Sequence, residues 1–233
     1  MSNTDRYRTA RDQLVDLITD YDKAVATFQW PELTGQFNWA TDWFDVVAGR
    51  SRSGGDISYR NHRTALWIVE QDGTEQKVTF AQMARRSDQV ATWLRGLGVG
   101  QGDRVILMLG NQVELWESML AVAKLGAVIL PTTAALGRDD IADRLARGGA
   151  RFVIANASDT GKFGGLDAQF TGITVGGSAA GWHAYADAET IEPAGPFEPG
   201  TTVDDPLLVY FTSGTTSHPK LVQHSQVSYP VGH

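Results

Sequence analysis

The chain contains no cysteine, which excludes a disulfide framework and any thiolate metal site. It also lacks a block of lysines and arginines. Twenty basic against 27 acidic residues leave a formal charge of −7, the wrong sign for neutralising a nucleic-acid backbone, so no nucleic-acid partner is expected. An anionic ligand would have to be held locally. No apolar run approaches the length of a membrane span, and the polar start Met1-Ser2-Asn3-Thr4-Asp5-Arg6 has no apolar signal core behind it. A cytoplasmic protein with no membrane span is expected. His62, His183, His218, His224 and His233 do not have the i, i+4 spacing of a helical metal pair, so no metal site is expected from them. What is present, 42% hydrophobic residues with seven tryptophans, suffices to bury a core.

Taken in order, the apolar positions Tyr7, Leu14, Val15 and Ile18 predict one surface helix over residues 7–22. The aromatic-rich stretch 28–45 reads as core or docking surface, because it lacks the interleaved basic residues of a nucleic-acid platform. Residues 51–61 read as a loop, 64–69 and 77–79 as a hairpin turning at Asp72-Gly73, and Thr79-Phe80-Ala81-Gln82 as a capping box opening a helix. Gly96, Gly98, Gly100 and Gly102 lie before a strand rather than after one, so they are a helix stop and a loop, not a dinucleotide fingerprint.

Strands are predicted over 104–109, 127–131 and 151–155. Between them lie a helix opened by a second capping box at Asn111-Gln112-Val113-Glu114 and another over 138–147, ended by Gly148-Gly149. Val113, Trp116, Leu120 and Ala123 form the first helix's apolar stripe, and Lys124 and Gly126 close it by complementing its dipole and breaking it. The β-α-β-α-β alternation predicts an α/β fold with a mostly parallel sheet, right-handed crossovers and flanking helices. One further strand is expected at 173–175.

The chemistry concentrates in 207–224. An unbroken apolar run, Leu207-Leu208-Val209-Tyr210-Phe211, predicts a buried strand. Thr212-Ser213-Gly214-Thr215-Thr216-Ser217-His218-Pro219-Lys220 follows as a loop, and then a second short strand. Five hydroxyls between Thr212 and Ser217, a glycine that lets N–H groups approach a ligand, and the fixed charge of Lys220 suit phosphate oxygens. The pattern is not a P-loop, since Pro219 stands where the second glycine belongs and Leu221 where the magnesium-binding hydroxyl belongs. Nothing here is a nucleophile: Ser213 lacks the Gly-x-Ser-x-Gly elbow.

The order Tyr-Phe-Thr-Ser-Gly-Thr-Thr-x-x-Pro-Lys resembles the signature loop of the adenylate-forming enzymes, which include acyl-CoA synthetases, peptide-synthetase adenylation domains and luciferases. Lys124-Leu125-Gly126-Ala127-Val128-Ile129-Leu130-Pro131 resembles a second motif of that family, and residues 28–45 are similar to the start of medium-chain acyl-CoA synthetases. Ser217 stands where most relatives carry glycine.

The resemblance implies a ligase of fatty acid metabolism that converts a carboxylate, ATP and coenzyme A, with Mg2+, to acyl-CoA, AMP and pyrophosphate. In it, residues 212–220 hold phosphate and no residue of this chain is catalytic. It further implies an incomplete large N-terminal domain: a helical and aromatic segment at 1–50, an α/β core at 64–203 and the phosphate-binding strand-loop-strand at 205–224. The acidic magnesium motif, the ribose aspartate and the C-terminal domain have no counterpart here, so an inactive piece that self-associates through its cut face is expected. The other readings are a non-catalytic phosphate-binding module, an aryl-CoA ligase or a peptide-synthetase adenylation domain.

Overall fold

The computed structural model describes residues 1–232 apart from 54–55, 195–196, 199 and 213–218, with backbone only for 51–53 and 56–57. The chain opens with α1 (Asn3–Asp16), α2 (Tyr21–Thr27), a π-helical turn (Trp39–Phe44) and the short α3 (Asp45–Val47). Two hairpins follow, β1 (Ser51–Ser53) with β2 (Asp56–Ser58), and β3 (Thr64–Val69) with β4 (Glu75–Thr79). Then come α4 (Phe80–Gly96), β5 (Arg104–Met108), α5 (Val113–Lys124), β6 (Val128–Pro131), α6 (Arg138–Gly148), β7 (Phe152–Asn156), β8 (Thr171–Val175), β9 (His183–Ala184), β10 (Pro206–Thr212), β11 (Lys220–Ser225) and α7 (Ser228–Gly232). Seven strands form one sheet in the order β11-β10-β6-β5-β7-β8-β9, parallel throughout except for the antiparallel β10–β11 pair. This is the mostly parallel α/β arrangement that the alternation predicts.

The strands read as continuous apolar runs because both faces of the sheet are covered. Along β5, Val105 and Leu107 enter one core, which α4 and α5 help to build. Ile106 and Met108 enter the other, which receives Ile141 and Leu145 of α6. β7 divides in the same way, Phe152 and Ile154 from Val153 and Ala155. In β10 the register shifts between Pro206 and Leu208, so Leu207 and Leu208 both enter the first core before Val209 returns to the second.

The capping box at Thr79 forms as predicted: its hydroxyl accepts from the Gln82 N–H at 3.2 Å and the Gln82 side chain accepts from the Thr79 N–H at 2.9 Å. The box at Asn111 does not form. Gln112 caps α5 without a side-chain bond, and the Asn111 side-chain oxygen Oδ1 accepts at 3.2 Å from the indole N–H of Trp116. Trp116, expected on the apolar stripe, is therefore part-exposed, while Glu117, Ser118 and Lys124 are buried.

The N-terminal helix is also different from expectation. It ends at Asp16, a second helix starts at Tyr21, and Tyr7, Ala10 and Leu17 are buried whereas Val15 and Ile18 face solvent. Residues 51–61 contain the β1–β2 hairpin rather than a plain loop, and β9 was not expected.

Lys124 does not act as an exposed dipole cap. It is fully buried, with Nζ 2.9 Å from an Asp45 carboxylate oxygen and 2.6 Å from an Asp88 oxygen. Tyr59 donates to the other Asp88 oxygen at 2.6 Å, and Arg50 pairs with Asp45 at 3.2 Å. This cluster joins α3, α4 and α5. Burial holds the Asp45 carboxyl above its usual range, opposed by Lys124. Asn38 continues the fastening: its amide donates to the Ala123 carbonyl at 2.8 Å, while its oxygen caps the π-helical turn. As expected for 28–45, Phe37 is core, packed with Tyr7, Leu33 and Val203.

Candidate phosphate-binding site

The two strands expected at the signature stretch are present. β10 and β11 pair in the register Tyr210↔Val222, Phe211↔Leu221, Thr212↔Lys220, so the two ends of the loop stand opposite one another. Thr212, Pro219 and Lys220 are thereby brought together, whereas Ser213, Gly214, Thr215, Thr216, Ser217 and His218 lie outside the described residues. The Thr212 hydroxyl faces the Lys220 carbonyl at 3.5 Å, a long contact, and the Lys220 side chain is exposed.

Register also fixes where these two residues stand. Leu208 aligns with Ile129 of β6, two residues before that strand ends at Pro131, and Thr212 lies four residues further along β10. Thr212 and, opposite it, Lys220 thus stand past the carboxyl end of β6, the side on which open α/β sheets bind ligands.

Sequence reasoning missed the side chains of α6 that face this hairpin. Arg147 donates through Nη2 to the Pro219 carbonyl at 2.8 Å, and through Nη1 to Asp143 at 2.9 Å. Arg144 is buried with its guanidinium 4.8 Å from the centre of the Phe211 ring. The i, i+4 spacing of Asp143 and Arg147 is visible in the sequence, but an ordinary exposed helix pair has the same spacing. On the other face of β10, Tyr210 meets His224 edge-on with ring centres 5.5 Å apart.

A second polar site lies away from the loop. Gln76, Arg86, Gln89, Glu114, Glu117 and Tyr185 are among the residues lining a cavity of about 360 Å³. Glu117 accepts from the Tyr185 hydroxyl at 3.2 Å and pairs with Arg86 at 3.4 Å. Burial pushes its carboxyl up to about 7, against the pull of Arg86. Among the described residues no grouping of three His, Asp or Glu could hold a metal, and no helix is long and apolar enough to cross a membrane.

Comparison with known proteins places this geometry. Human mitochondrial acyl-coenzyme A synthetase ACSM5 is 31% identical over 90% of the chain, which spans 38% of that protein's length. The fold superposes on the anthranilate CoA ligase AuaEII with a TM-score of 0.71 at 24% identity, covering 84% of this chain and 36% of that one. It also superposes on the N-terminal domain of FACL13 from Mycobacterium tuberculosis with a TM-score of 0.59 at 27% identity, covering 82% and 45%. Residues 57–230 match the AMP-binding enzyme family, and with about three quarters of its length so matched the chain belongs to that family.

Proposed function

We propose that the chain is part of an AMP-forming acyl-CoA synthetase, a ligase acting on fatty acids in which ATP activates a carboxylate to an acyl-adenylate and coenzyme A then displaces AMP. The supporting observation is the opposition of Thr212 and Lys220 at the carboxyl end of β10, past the carboxyl end of β6. It sets the two ends of a hydroxyl-rich segment side by side where the sheet presents ligands. Because the chain spans about a third of the curated relatives' length, the whole protein's activity and substrates belong to this proposal. So does the partition into residues 1–50, 64–203 and 205–224 of an incomplete N-terminal domain.

The chemistry asked of the loop is electrostatic. A carboxylate oxygen attacks the α-phosphorus, the bond to the bridging oxygen breaks, and the electron pair leaves with pyrophosphate. Hydrogen-bond donors of residues 212–217 and the ammonium of Lys220 would hold that group in line and offset its charge. Magnesium, which the family resemblance implies, has no carboxylate set among the described residues, so those residues do not make its site and no step is drawn through it. The cytoplasmic placement stays part of the proposal; cell fractionation tests it against the mitochondrial placement in the relatives' names.

Carboxylate-dependent exchange of pyrophosphate into ATP, measured on the longest polypeptide of this reading frame, tests the assignment. Exchange with straight-chain acids supports it. Exchange restricted to aryl acids or amino acids would reassign the protein to an aryl-CoA ligase or an adenylation domain. ATP binding without exchange for any acid would leave a phosphate-binding module and refute the enzyme.

A further inference from the structure

We propose that Arg147 is a positioning residue for the phosphate loop, set by Asp143 and acting through the carbonyl of Pro219; this rests on the synthetase reading above. The guanidinium divides its donors. Nη1 lies 2.9 and 3.3 Å from the two Asp143 carboxylate oxygens, one helical turn earlier, and Nη2 lies 2.8 Å from the Pro219 oxygen. A planar fork held on one side by a carboxylate has little freedom left on the other. The peptide plane it fixes joins Pro219 to Lys220, so the bond sets the direction in which Lys220 leaves the loop.

The opposite end of the loop rests on the same helix. Phe211 precedes Thr212, and its ring lies against the Arg144 guanidinium at 4.8 Å and 5.9 Å from that of Arg147. A Cβ at Gly148 would fall 2.6 Å from Leu130 and 3.4 Å from Phe211, so the absence of a side chain there lets the helix end sit against the ring. One turn of α6 thus braces both flanks of the hairpin without supplying a group to the nucleotide. Lys220 offsets charge that grows as pyrophosphate departs. A misdirected Lys220 should therefore lower kcat more than it raises the KM for ATP.

Two measurements on Arg147→Ala, Arg147→Lys and Asp143→Asn test this. Hydrogen exchange needs no activity. In Arg147→Ala the peptide covering 211–221 should exchange roughly threefold faster or more, with the β5 and β7 peptides unchanged. In pyrophosphate exchange, kcat should fall about tenfold while the KM for ATP moves less than about threefold. Arg147→Lys, which cannot span both partners, and Asp143→Asn, which keeps the fork but loosens it, should fall between wild type and Arg147→Ala. Unchanged exchange of the 211–221 peptide in Arg147→Ala overturns the proposal, and so does an unchanged kcat where Lys220→Ala lowers it. Absence of pyrophosphate exchange in the wild-type form of the longest polypeptide of this reading frame defeats the synthetase reading instead, and the hydrogen-exchange result then decides the brace alone.

Discussion

Replacing Lys124 by methionine should be among the most damaging single changes in the protein, although Lys124 lies away from the phosphate loop. The substitution keeps most of the apolar stem of the side chain and removes the ammonium, with its charge and its hydrogen bonds to Asp88 and the Ala84 carbonyl. Two carboxylates, Asp45 and Asp88, both nearly fully buried and within 2.9 Å of that charge, would lose their shared cation. Arg50 at 3.2 Å and the Tyr59 hydroxyl at 2.6 Å remain, but one cation cannot neutralise two acids. Breaking a buried pair from one side costs about 3–5 kcal/mol, which for a domain of this size is a fall in Tm of roughly 6–20 °C.

The loss should shrink as the pH drops. The Asp45 carboxyl already takes up its proton above the usual range because of burial, and without Lys124 that protonation moves higher still, so acid relieves the variant before it unfolds the wild type. Thermal and urea unfolding at pH 5 and pH 8 provide the assay. Adding Asp45→Asn and Asp88→Asn to Lys124→Met should recover most of the stability. A single-variant loss below about 1 kcal/mol, the worth of an exposed pair, would refute the argument.

Lys220→Ala should slow acyl-adenylate formation while sparing the thioester step started from synthetic adenylate; equal loss in both half-reactions would remove Lys220 from the phosphate site. Ser217→Gly, which installs the residue most relatives carry, should change the ATP-dependent rate by less than about tenfold, or roughly 1.4 kcal/mol, in the same assay. The Glu117 carboxyl takes up its proton at about 7 in the folded protein, above its ordinary 4.5. Between those pH values the folded state binds the extra proton, so this group's contribution to stability declines as pH rises through the window. Glu117→Gln should therefore flatten the dependence of Tm on pH from about 5 to 8 and be at least as stable as wild type at pH 8; an unchanged slope would show the burial argument wrong. The 233-residue chain alone should give no pyrophosphate release with any carboxylate and should self-associate, which turnover or a monodisperse monomer in sedimentation would contradict.

Where the sequence was legible, the causes were local. Thr79 and Gln82 satisfy each other's backbone within one turn, so the start of α4 follows from four residues. The alternating faces of β5 and β7 follow from apolar runs that only a doubly covered sheet tolerates. Asn111-Gln112-Val113-Glu114 has the same local form but fails, because a tryptophan further along the helix takes the Asn111 oxygen. Lys124 ends α5 as expected, but its burial is not legible locally: at a helix end a lysine is normally a solvated dipole partner, and only the long-range approach of Asp45 and Asp88 makes it core. At the loop, residue order alone carries the expected phosphate role of 212–220, of which the structure describes Thr212, Pro219 and Lys220. Asp143 and Arg147 could not be told from a surface pair until α6 was seen against Pro219.

The two edges of the large sheet are unequal. At one end β9 contributes only two residues, His183 and Ala184, too short a rim to template another strand. At the other, β11 runs six residues, is antiparallel to its single partner, and leaves Leu221 and Val222 37% and 39% exposed. The longer open edge of the sheet is therefore the one along β11, the strand that begins at Lys220. A segment pairing with that edge would hold β11 from its second side, and through it the Thr212–Lys220 pair that ends the hairpin.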